Sequence, residues 1–309
     1  MKKTIPIAIF IIMIVAMLTA CLPGEVENVE TSEISEEPLT LTDPMGNEVI
    51  VPEETNKIVS MAPAITEVLV DLGLGDKIVA VDTYSKDIQG LSGDIFITDM
   101  MTPDVEQIIA LDPDIVFAST ITMIDGDPLS QFKSMGISLA YIPNSDSFES
   151  IYSDLMFVAK VVGEEEKGQE LVDNMKEEIK EIEKIGKTIT NKKSVYLEIS
   201  AAPDLYNFGQ DSYLNEMIEI IGATNVLDGE EGTVSEETIV AANPDVIITN
   251  VNYIDNPIDE IKSRAGWENI NAIKNDEVYY VDTNSSSQPN HNTVKALKQM
   301  AESVYPDEY

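Results

Sequence analysis

Short apolar runs alternate with amphipathic stretches along the chain, which predicts strands alternating with helices. Residues 57–60 and 78–81 are rich in Ile and Val, a pattern typical of buried strands. Between them, residues 66–72 predict a helix that ends before Gly73. Ahead of this unit, two short runs flank the Gly-Asn dipeptide at 46–47 and predict a hairpin. The order of elements predicts an α/β fold with mainly parallel sheets covered by helices.

A pattern of a short helix followed by a strand occurs twice, at residues 104–116 and 235–247. Each copy starts with a polar residue, continues as a short helix, breaks at Pro-Asp and ends in a β-branched strand. Proline disfavours helical geometry in the residue before it, so each helix must end where the next strand begins. Glu106 and Glu237 occupy matching positions on the first turns of the two helices. The repeat predicts two related α/β lobes.

A long helical pattern separates the two copies. Apolar residues recur at spacings of three and four from Phe148 to Val158, stop at Gly163 and resume as far as about Lys187. The second segment would be roughly 35 Å long at the standard helical rise. Its other face is mostly Glu and Lys, with the attractive pair Glu183 and Lys187. We interpret this segment as a stiff helix that joins the lobes.

Composition supports two folded domains and excludes several functions. The chain has 309 residues, of which 43% are apolar, so a sizeable core can form. It carries 56 acidic and 19 basic residues, a net charge of −37, which repels nucleic-acid phosphates. One Cys and one His exclude an intrachain disulfide and a zinc cluster of these residues. The acidity is consistent with a high-salt habitat or simply with an acidic surface.

The first residues predict export and a membrane anchor. Lys2 and Lys3 precede an uncharged, mostly apolar run over residues 4–20, as in a secretory signal. The run ends at Cys21 in a sequence like the lipobox of exported lipoproteins, in which the thiol is lipidated. An uncleaved membrane anchor is the alternative, and both place the remainder outside the cytoplasm. The predicted divisions are a signal peptide (1–20), a lipidated disordered tether (21–38), an N-terminal lobe (39–160), a connecting helix (161–190) and a C-terminal lobe (191–309).

Several short segments follow one another in a specific order. They are residues 43–46, residues 58–63 followed by Thr66 and Glu67, residues 73–76, the two Pro-Asp units, and Gly266 with Trp267. Through this ordered set, from about Asp43 to Pro306, the chain resembles the class III, helical-strut substrate-binding proteins of ABC importers. That family binds ligands such as cobalamin, ferric siderophores and haem. The resemblance implies a lipid-anchored, extracytoplasmic protein that is not an enzyme and has no resident cofactor or metal. The tethered two-lobe plan predicts a monomer.

The resemblance also implies roles for individual residues. Glu106 and Glu237 match the carboxylates with which that family docks on arginines of the membrane permease. The ligand is expected in the cleft between the lobes, at Tyr84, Met100, Ser119, Tyr206, Asn207, Phe208, Glu231, Tyr253, Asn284 and His291. For Tyr206 and Phe208 the alternative is a position in the core, and for His291 the alternative is to cap the last helix.

The predicted cleft lacks arginine, because Arg264 is the only arginine in the chain. An anionic ligand would lack its usual bidentate partner there, so a neutral or cationic metal chelate, or a corrinoid, is favoured. Two alternatives to a transport function stay open from the sequence. One is a secreted hydrolase with a carboxylate pair, and the other is a ligand sensor that docks on a membrane receptor.

Overall fold

The computed structural model describes residues 38–123, 126–227 and 229–309. From Pro38 to Tyr309 the chain forms one unit. The predicted signal peptide and all of the predicted tether except Pro38, including Cys21, lie outside the described residues. Within the described ranges, no helix combines the length and apolar character needed to cross a membrane.

In the described part of the chain, the N-terminal lobe contains a hairpin and a five-stranded parallel sheet in the order β5-β4-β3-β6-β7. The hairpin pairs β1 with β2 in antiparallel register, as the sequence predicts. The elements are β1 (Thr40–Thr42), β2 (Glu48–Ile50), β3 (Ile58–Met61), α1 (Pro63–Asp71), β4 (Ile78–Asp82), β5 (Phe96–Thr98), α2 (Val105–Ala110), β6 (Ile115–Ser119), α3 (Gln131–Ser134) and β7 (Ser138–Ile142).

Two helices leave this lobe and lead to the second one. They are α4 (Phe148–Val161) and α5 (Glu165–Gly186). Gly163 separates them with a φ of 77°, a left-handed conformation that glycine adopts without strain. On α5 the predicted Glu183–Lys187 ion pair forms with an Oε1–Nζ distance of 2.7 Å. The break and the long helix therefore lie where the sequence pattern predicts them.

The C-terminal lobe contains a parallel sheet in the order β10-β8-β12-β13 and a small antiparallel pair, β9 with β11. The elements are β8 (Ser194–Glu198), β9 (Tyr206–Asn207), α6 (Tyr213–Ile220), β10 (Thr224–Asn225), β11 (Gly232–Thr233), α7 (Glu236–Ala242), β12 (Val246–Thr249), α8 (Pro257–Lys262), α9 (Asn271–Lys274), β13 (Val278–Tyr280), α10 (Thr283–Ser287) and α11 (Thr293–Val304).

Both faces of the strands are buried. Successive side chains on a strand point to opposite faces, so they contribute to separate parts of the core. Ile58 and Ile248 belong to a large cluster that also takes in the buried faces of α1, α4, α5, α6 and α11. The adjacent residues Val59 and Ile247 point to the opposite faces, into two separate clusters. These two outer clusters lie under α2 and α7 respectively. The shared inner core therefore connects the lobes, and each repeat helix packs on the outside of its own lobe.

The two repeat copies have matching backbone structure. Asp112 and Asn243, the residues before the two prolines, both adopt left-handed φ angles, 54° and 48°. After each proline, an aspartate ties two strands together. Asp114 Oδ2 accepts the backbone N–H of Lys57 at 2.8 Å, and Asp245 Oδ2 accepts that of Ser194 at 3.0 Å. The similar contacts support the predicted repeat.

The first helix is longer at its N-terminus than the sequence pattern predicts. The prediction begins at residue 66, whereas α1 begins at Pro63. Proline is favourable at the first helical position, because it lacks an N–H and its φ angle already suits a helix. The apolar periodicity alone does not reveal this first turn.

Candidate functional site

Tyr84 lies in the loop after β4 and its side chain is 75% exposed. The loop is held from beneath by Asp82, whose Oδ1 accepts the N–H of Tyr84 at 2.8 Å and whose Oδ2 accepts the hydroxyl of Ser85. Burial raises the pKa of Asp82, and these hydrogen bonds partly oppose the rise. Tyr84 is therefore an exposed aromatic residue on a fixed loop.

A buried row of hydroxyl groups extends this support to the neighbouring elements. The Thr66 hydroxyl lies 2.8 Å from the Ser60 hydroxyl on β3 and donates to the Ser85 hydroxyl at 3.1 Å. All three side chains are buried. Because buried polar groups need partners, this row specifies how β3, α1 and the loop of Tyr84 fit together.

Tyr84 and Asn284, both predicted ligand residues, line one pocket of about 340 Å³. One wall comes from α1, with Glu67 and Asp71, and another from α11, with Lys295. The pocket therefore lies between the two lobes. Its walls are rich in carboxylate and amide groups.

Asn284 is placed by α10, which is fixed at both ends. Asp282 caps the helix by accepting the N–H of Ser285 at 2.8 Å. Asn250, buried at the end of β12, donates to the hydroxyls of Ser286 and Ser287 at 3.0 Å each. These contacts hold Asn284 at the carboxyl edge of the C-terminal sheet.

A group of five residues, the interlobe clasp, joins α1 to the segment before α11. It consists of Glu67, Asp71, Asn290, His291 and Asn292. Glu67 Oε2 accepts the side-chain amides of Asn290 and Asn292 at 2.7 and 2.9 Å. His291 Nε2 lies 2.5 Å from Asp71 Oδ2. His291, predicted as a ligand residue, thus contacts the opposite lobe; the sequence analysis assigned no site role to Glu67 or Asp71.

Ser119 is buried at the end of β6 and lines a small cavity of about 60 Å³. Asn290 of the other lobe lines the same cavity, together with Ser145 and Asp154. Burial raises the pKa of Asp154 to about 6; the 2.7 Å hydrogen bond from Ser145 opposes the rise and Asp146 adds to it. A cavity of this size holds only a few water molecules, so it is too small for a metal chelate.

The C-terminal predicted ligand residues cluster around the β9–β11 pair. The Tyr206 hydroxyl donates to Glu231 Oε1 at 2.7 Å, and this bond raises the pKa of Tyr206. Asn207 is buried and donates to the Glu230 carbonyl at 3.2 Å. Phe208 is only 8% exposed and belongs to the shared inner core. The structure thus brings Tyr206 and Glu231 together and places Phe208 in the position of a core aromatic.

Four exposed apolar side chains lie just after strands of the two parallel sheets. We call Tyr84, Met101, Ile121 and Tyr253 the apolar rim. Tyr253 is 65% exposed, and its hydroxyl accepts the N–H of Ala201 at 2.8 Å. Met100, the predicted ligand residue, is buried instead. Met101 and Ile121 are not among the residues predicted from the sequence, although they lie one and two residues from the predicted Met100 and Ser119.

Glu106 and Glu237 are exposed second residues of α2 and α7. Asp104 caps α2 by accepting the N–H of Gln107 at 3.1 Å, and Ser235 caps α7 by accepting that of Thr238 at 3.3 Å. The pKa of Glu237 is lowered by a hydrogen bond from its own backbone N–H and by one from Ser235. Both carboxylates are therefore accessible, and that of Glu237 is stabilised as an anion at the start of its helix.

The only arginine is committed to the interior of the C-terminal lobe. Arg264 donates to both oxygens of buried Glu198, at 2.6 and 2.9 Å, and to Glu260 at 2.6 Å. Burial alone would lower the pKa of Arg264, but these carboxylates raise it above its usual value. With its side chain 5% exposed, Arg264 is not available to a ligand. Among the described residues, no group of three or more His, Cys, Asp or Glu side chains could hold a metal ion.

Comparisons with known proteins agree with this geometry. The sequence pattern of the periplasmic binding protein family matches residues 58–284. An ABC transporter substrate-binding lipoprotein of Bacillus subtilis, YvrC, described as uncharacterized, is 34% identical and covers 100% of this chain and 99% of its own length. A vitamin B12-binding protein of Vibrio parahaemolyticus is 25% identical over 81% of this chain and 90% of its own. The crystal structure of a possible iron-binding (periplasmic solute-binding) protein of Staphylococcus epidermidis matches with a TM-score of 0.73 and 29% identity, over 82% of this chain and 100% of its own.

Proposed function

Because this chain belongs to the periplasmic binding protein family, as a substrate-binding protein of an ABC importer and not an enzyme, we propose that its ligand is a neutral or cationic metal chelate held between the lobes. A corrinoid or a neutral ferric siderophore suits this description, whereas haem carries two anionic propionates and suits it less well. The hydrolase alternative is thereby excluded, and delivery to a permease is favoured over a sensor function.

The apolar rim carries the proposal for the ligand. Tyr84, Met101 and Ile121 come from the N-terminal lobe and Tyr253 from the C-terminal lobe, all exposed after the ends of strands. Exposed aromatic and thioether side chains bind large, flat or apolar ligands well. Since Arg264 is buried, an anionic chelate would lack a guanidinium partner. The B12-binding relative and the possible iron-binding protein of known structure point to the same ligand classes.

Ligand identity is tested first by native mass spectrometry and absorption spectroscopy on freshly purified protein. Calorimetric titration then compares cobalamin, haem, a neutral ferric hydroxamate and an anionic ferric catecholate. We expect one of the neutral or cationic chelates or the corrinoid to bind most tightly. Tightest binding of the catecholate or of haem, both of which are anionic, or binding of none of the four, would contradict the proposal.

The apolar rim is tested with matched tyrosine variants. We expect Tyr84→Ala and Tyr253→Ala each to weaken ligand binding by about tenfold, which is typical for loss of an aromatic contact in a binding site. Tyr280→Ala is the control, because Tyr280 is 42% exposed on β13 and its hydroxyl pairs with Thr283 at 3.0 Å. An equal effect of all three variants would show that the rim is not the ligand contact.

We also propose that Glu106 and Glu237 dock the protein on the permease. Support comes from their matching positions in the repeat, their exposure and their charge. Carboxylates of this kind form charge-assisted, bidentate contacts with arginine. Substitution of either residue by Ala should weaken stimulation of the importer's ATPase and leave ligand affinity unchanged.

Finally, we propose that Cys21 is lipidated and holds the protein on the outer face of the cell membrane. The B. subtilis relative is named a lipoprotein and covers the whole chain, which supports this proposal. Mass spectrometry of the N-terminal peptide should show a diacylglyceryl-modified cysteine. The variant Cys21→Ala should leave the membrane fraction, and its retention there would favour an uncleaved anchor.

A further inference from the structure

Two adjacent carboxylates at the start of α7 have different surroundings. Glu236 is partly buried, and its Oε2 accepts a hydrogen bond from the indole Nε1 of Trp267 at 2.9 Å. Glu237 is exposed and accepts hydrogen bonds from its own backbone N–H and from Ser235, at the start of its own helix. One carboxylate is thus committed to the protein interior and the next is presented to solvent.

Trp267 itself is held firmly. Its side chain is 1% exposed and packs among the outer core residues beneath α7. The Arg264 guanidinium lies over its ring, 4.6 Å from the centroid, and is bonded through Glu198 to the end of β8. Stacking and charge-assisted hydrogen bonds of this kind restrict both side chains. A continuous set of contacts therefore connects the C-terminal sheet to the first turn of α7.

From this set of contacts we infer that Trp267 is a positioning residue for permease docking, acting through Glu236 to fix the first turn of α7 and hence the direction of Glu237. The inference rests on the proposed docking function of Glu237. It also explains why the two adjacent glutamates differ. Glu236 accepts the indole N–H, and Glu237 is exposed and can bind a guanidinium of the permease.

The N-terminal lobe supports its matching helix differently. The N–H of Asp104, the cap of α2, donates to Thr98 Oγ1 at 2.9 Å, and Asp99 accepts the N–H groups of Met101 and Thr102 at 2.8 Å each. These supports come from the residues that directly precede α2. On α7 the Trp267 contact comes from 31 residues away. Loss of the indole bond should therefore affect the docking of one lobe and not the other.

The test uses the full-length, liganded protein and its importer reconstituted in lipid nanodiscs, with ATP hydrolysis measured against binding-protein concentration. Trp267→Phe keeps an aromatic ring and removes the donor, and Glu236→Ala removes the acceptor. Each should raise the half-saturating concentration about three- to tenfold, the usual net effect of one lost hydrogen bond, and leave the maximal rate unchanged. Because both act through one contact, the double variant should be no weaker than Glu236→Ala alone.

Conservative rescue separates positioning from simple loss of charge. Glu236→Gln retains an acceptor oxygen for the indole and should dock nearly as well as the unaltered protein. If Glu236→Gln is as weak as Glu236→Ala, the carboxylate acts by its charge and the inference is wrong. The pair of Glu236 variants decides this even if Trp267→Phe fails to fold.

Two further variants complete the design. Glu302→Ala removes an exposed acid from α11, away from Trp267, and should change nothing. Glu237→Ala should weaken docking. If Glu237→Ala docks normally, the docking proposal itself fails and this inference falls with it. If Glu237→Ala is weak and Glu236→Ala and Trp267→Phe dock normally, only the positioning role is overturned.

Discussion

The two repeat helices, α2 and α7, have similar sequences and different supports. Both are capped by a side chain, both present an exposed glutamate at their second residue, and both lead through a left-handed residue and Pro-Asp into a buried strand. However, α2 is held by Thr98 and Asp99 just before it, whereas α7 is held by Trp267, far away in the sequence. The repeat thus places an exposed glutamate in both lobes, whereas the contacts that hold the helix in place differ between them.

The buried ion pair of Arg264 with Glu198 gives the largest expected effect on stability. Arg264→Met would leave Glu198 charged, fully buried and without its partner, so the free energy of unfolding should fall by about 3–5 kcal/mol. Urea denaturation measures this loss. The double variant Arg264→Met/Glu198→Met should recover much of it, because an apolar pair carries no desolvation penalty. A loss below about 1 kcal/mol in the single variant would show that the pair does not support the C-terminal lobe.

The interlobe clasp comes next in size. Glu67→Ala removes the acceptor of two side-chain amides, one of them from buried Asn290, and should lower the free energy of unfolding by about 1–3 kcal/mol. Glu67→Gln keeps an acceptor oxygen and should lose less. Equal losses in the two variants, measured by urea denaturation, would mean that these hydrogen bonds do not stabilise the contact between the lobes.

Asp154 is a buried acid that, among the described residues, lacks the cation partner that Glu198 has, and its contribution to stability depends on pH. Burial raises the pKa of Asp154 to about 6, from an ordinary value of 3.8. The folded state therefore binds this proton more tightly than the unfolded state, and the group's contribution to stability rises as the pH falls from about 7 to 4. At pH 7.5, Asp154→Asn should be more stable than the unaltered protein by about 3 kcal/mol. The difference should disappear near pH 4. Urea denaturation at several pH values measures it, and a difference that stays constant from pH 4 to pH 7.5 would contradict the prediction.

The smallest effect compares the two helix caps directly. Asp104→Ala and Ser235→Ala each remove one side-chain acceptor of a backbone N–H and should each cost about 1 kcal/mol. Near-equal losses of unfolding free energy would confirm that the two caps do equivalent work. A much larger loss for one of them would show that its cap has a further role in that lobe.

Much of the fold follows from local patterns in the sequence. The hairpin, the repeat strands, the break at Gly163 and the long helix α5 all depend on residues within one or two turns of each other. The first turn of α1 was missed because it depends on proline geometry at Pro63 and not on apolar periodicity. The two-residue strands β9 and β11 are too short for any periodicity to reveal.

The candidate site was harder to predict because its contacts join distant residues. Glu67 meets Asn290 and Asn292 across more than 220 positions, and no local pattern announces such a pairing. Phe208 resembles a cleft aromatic in sequence, but the packing of β9 places it in the inner core. By contrast, the exposed positions of Glu106 and Glu237 follow from the repeat, because they depend only on the first turn of a helix.

The most direct test of the account is ligand uptake by cells that carry Glu106→Ala/Glu237→Ala, together with the ligand affinity of the purified variant. We predict that uptake is abolished and that affinity is unchanged. The control is Glu170→Ala/Glu177→Ala, which removes the same charge from the exposed face of α5 and should transport normally. Normal uptake by the Glu106/Glu237 variant would contradict the claim that the two lobes deliver their ligand through these carboxylates.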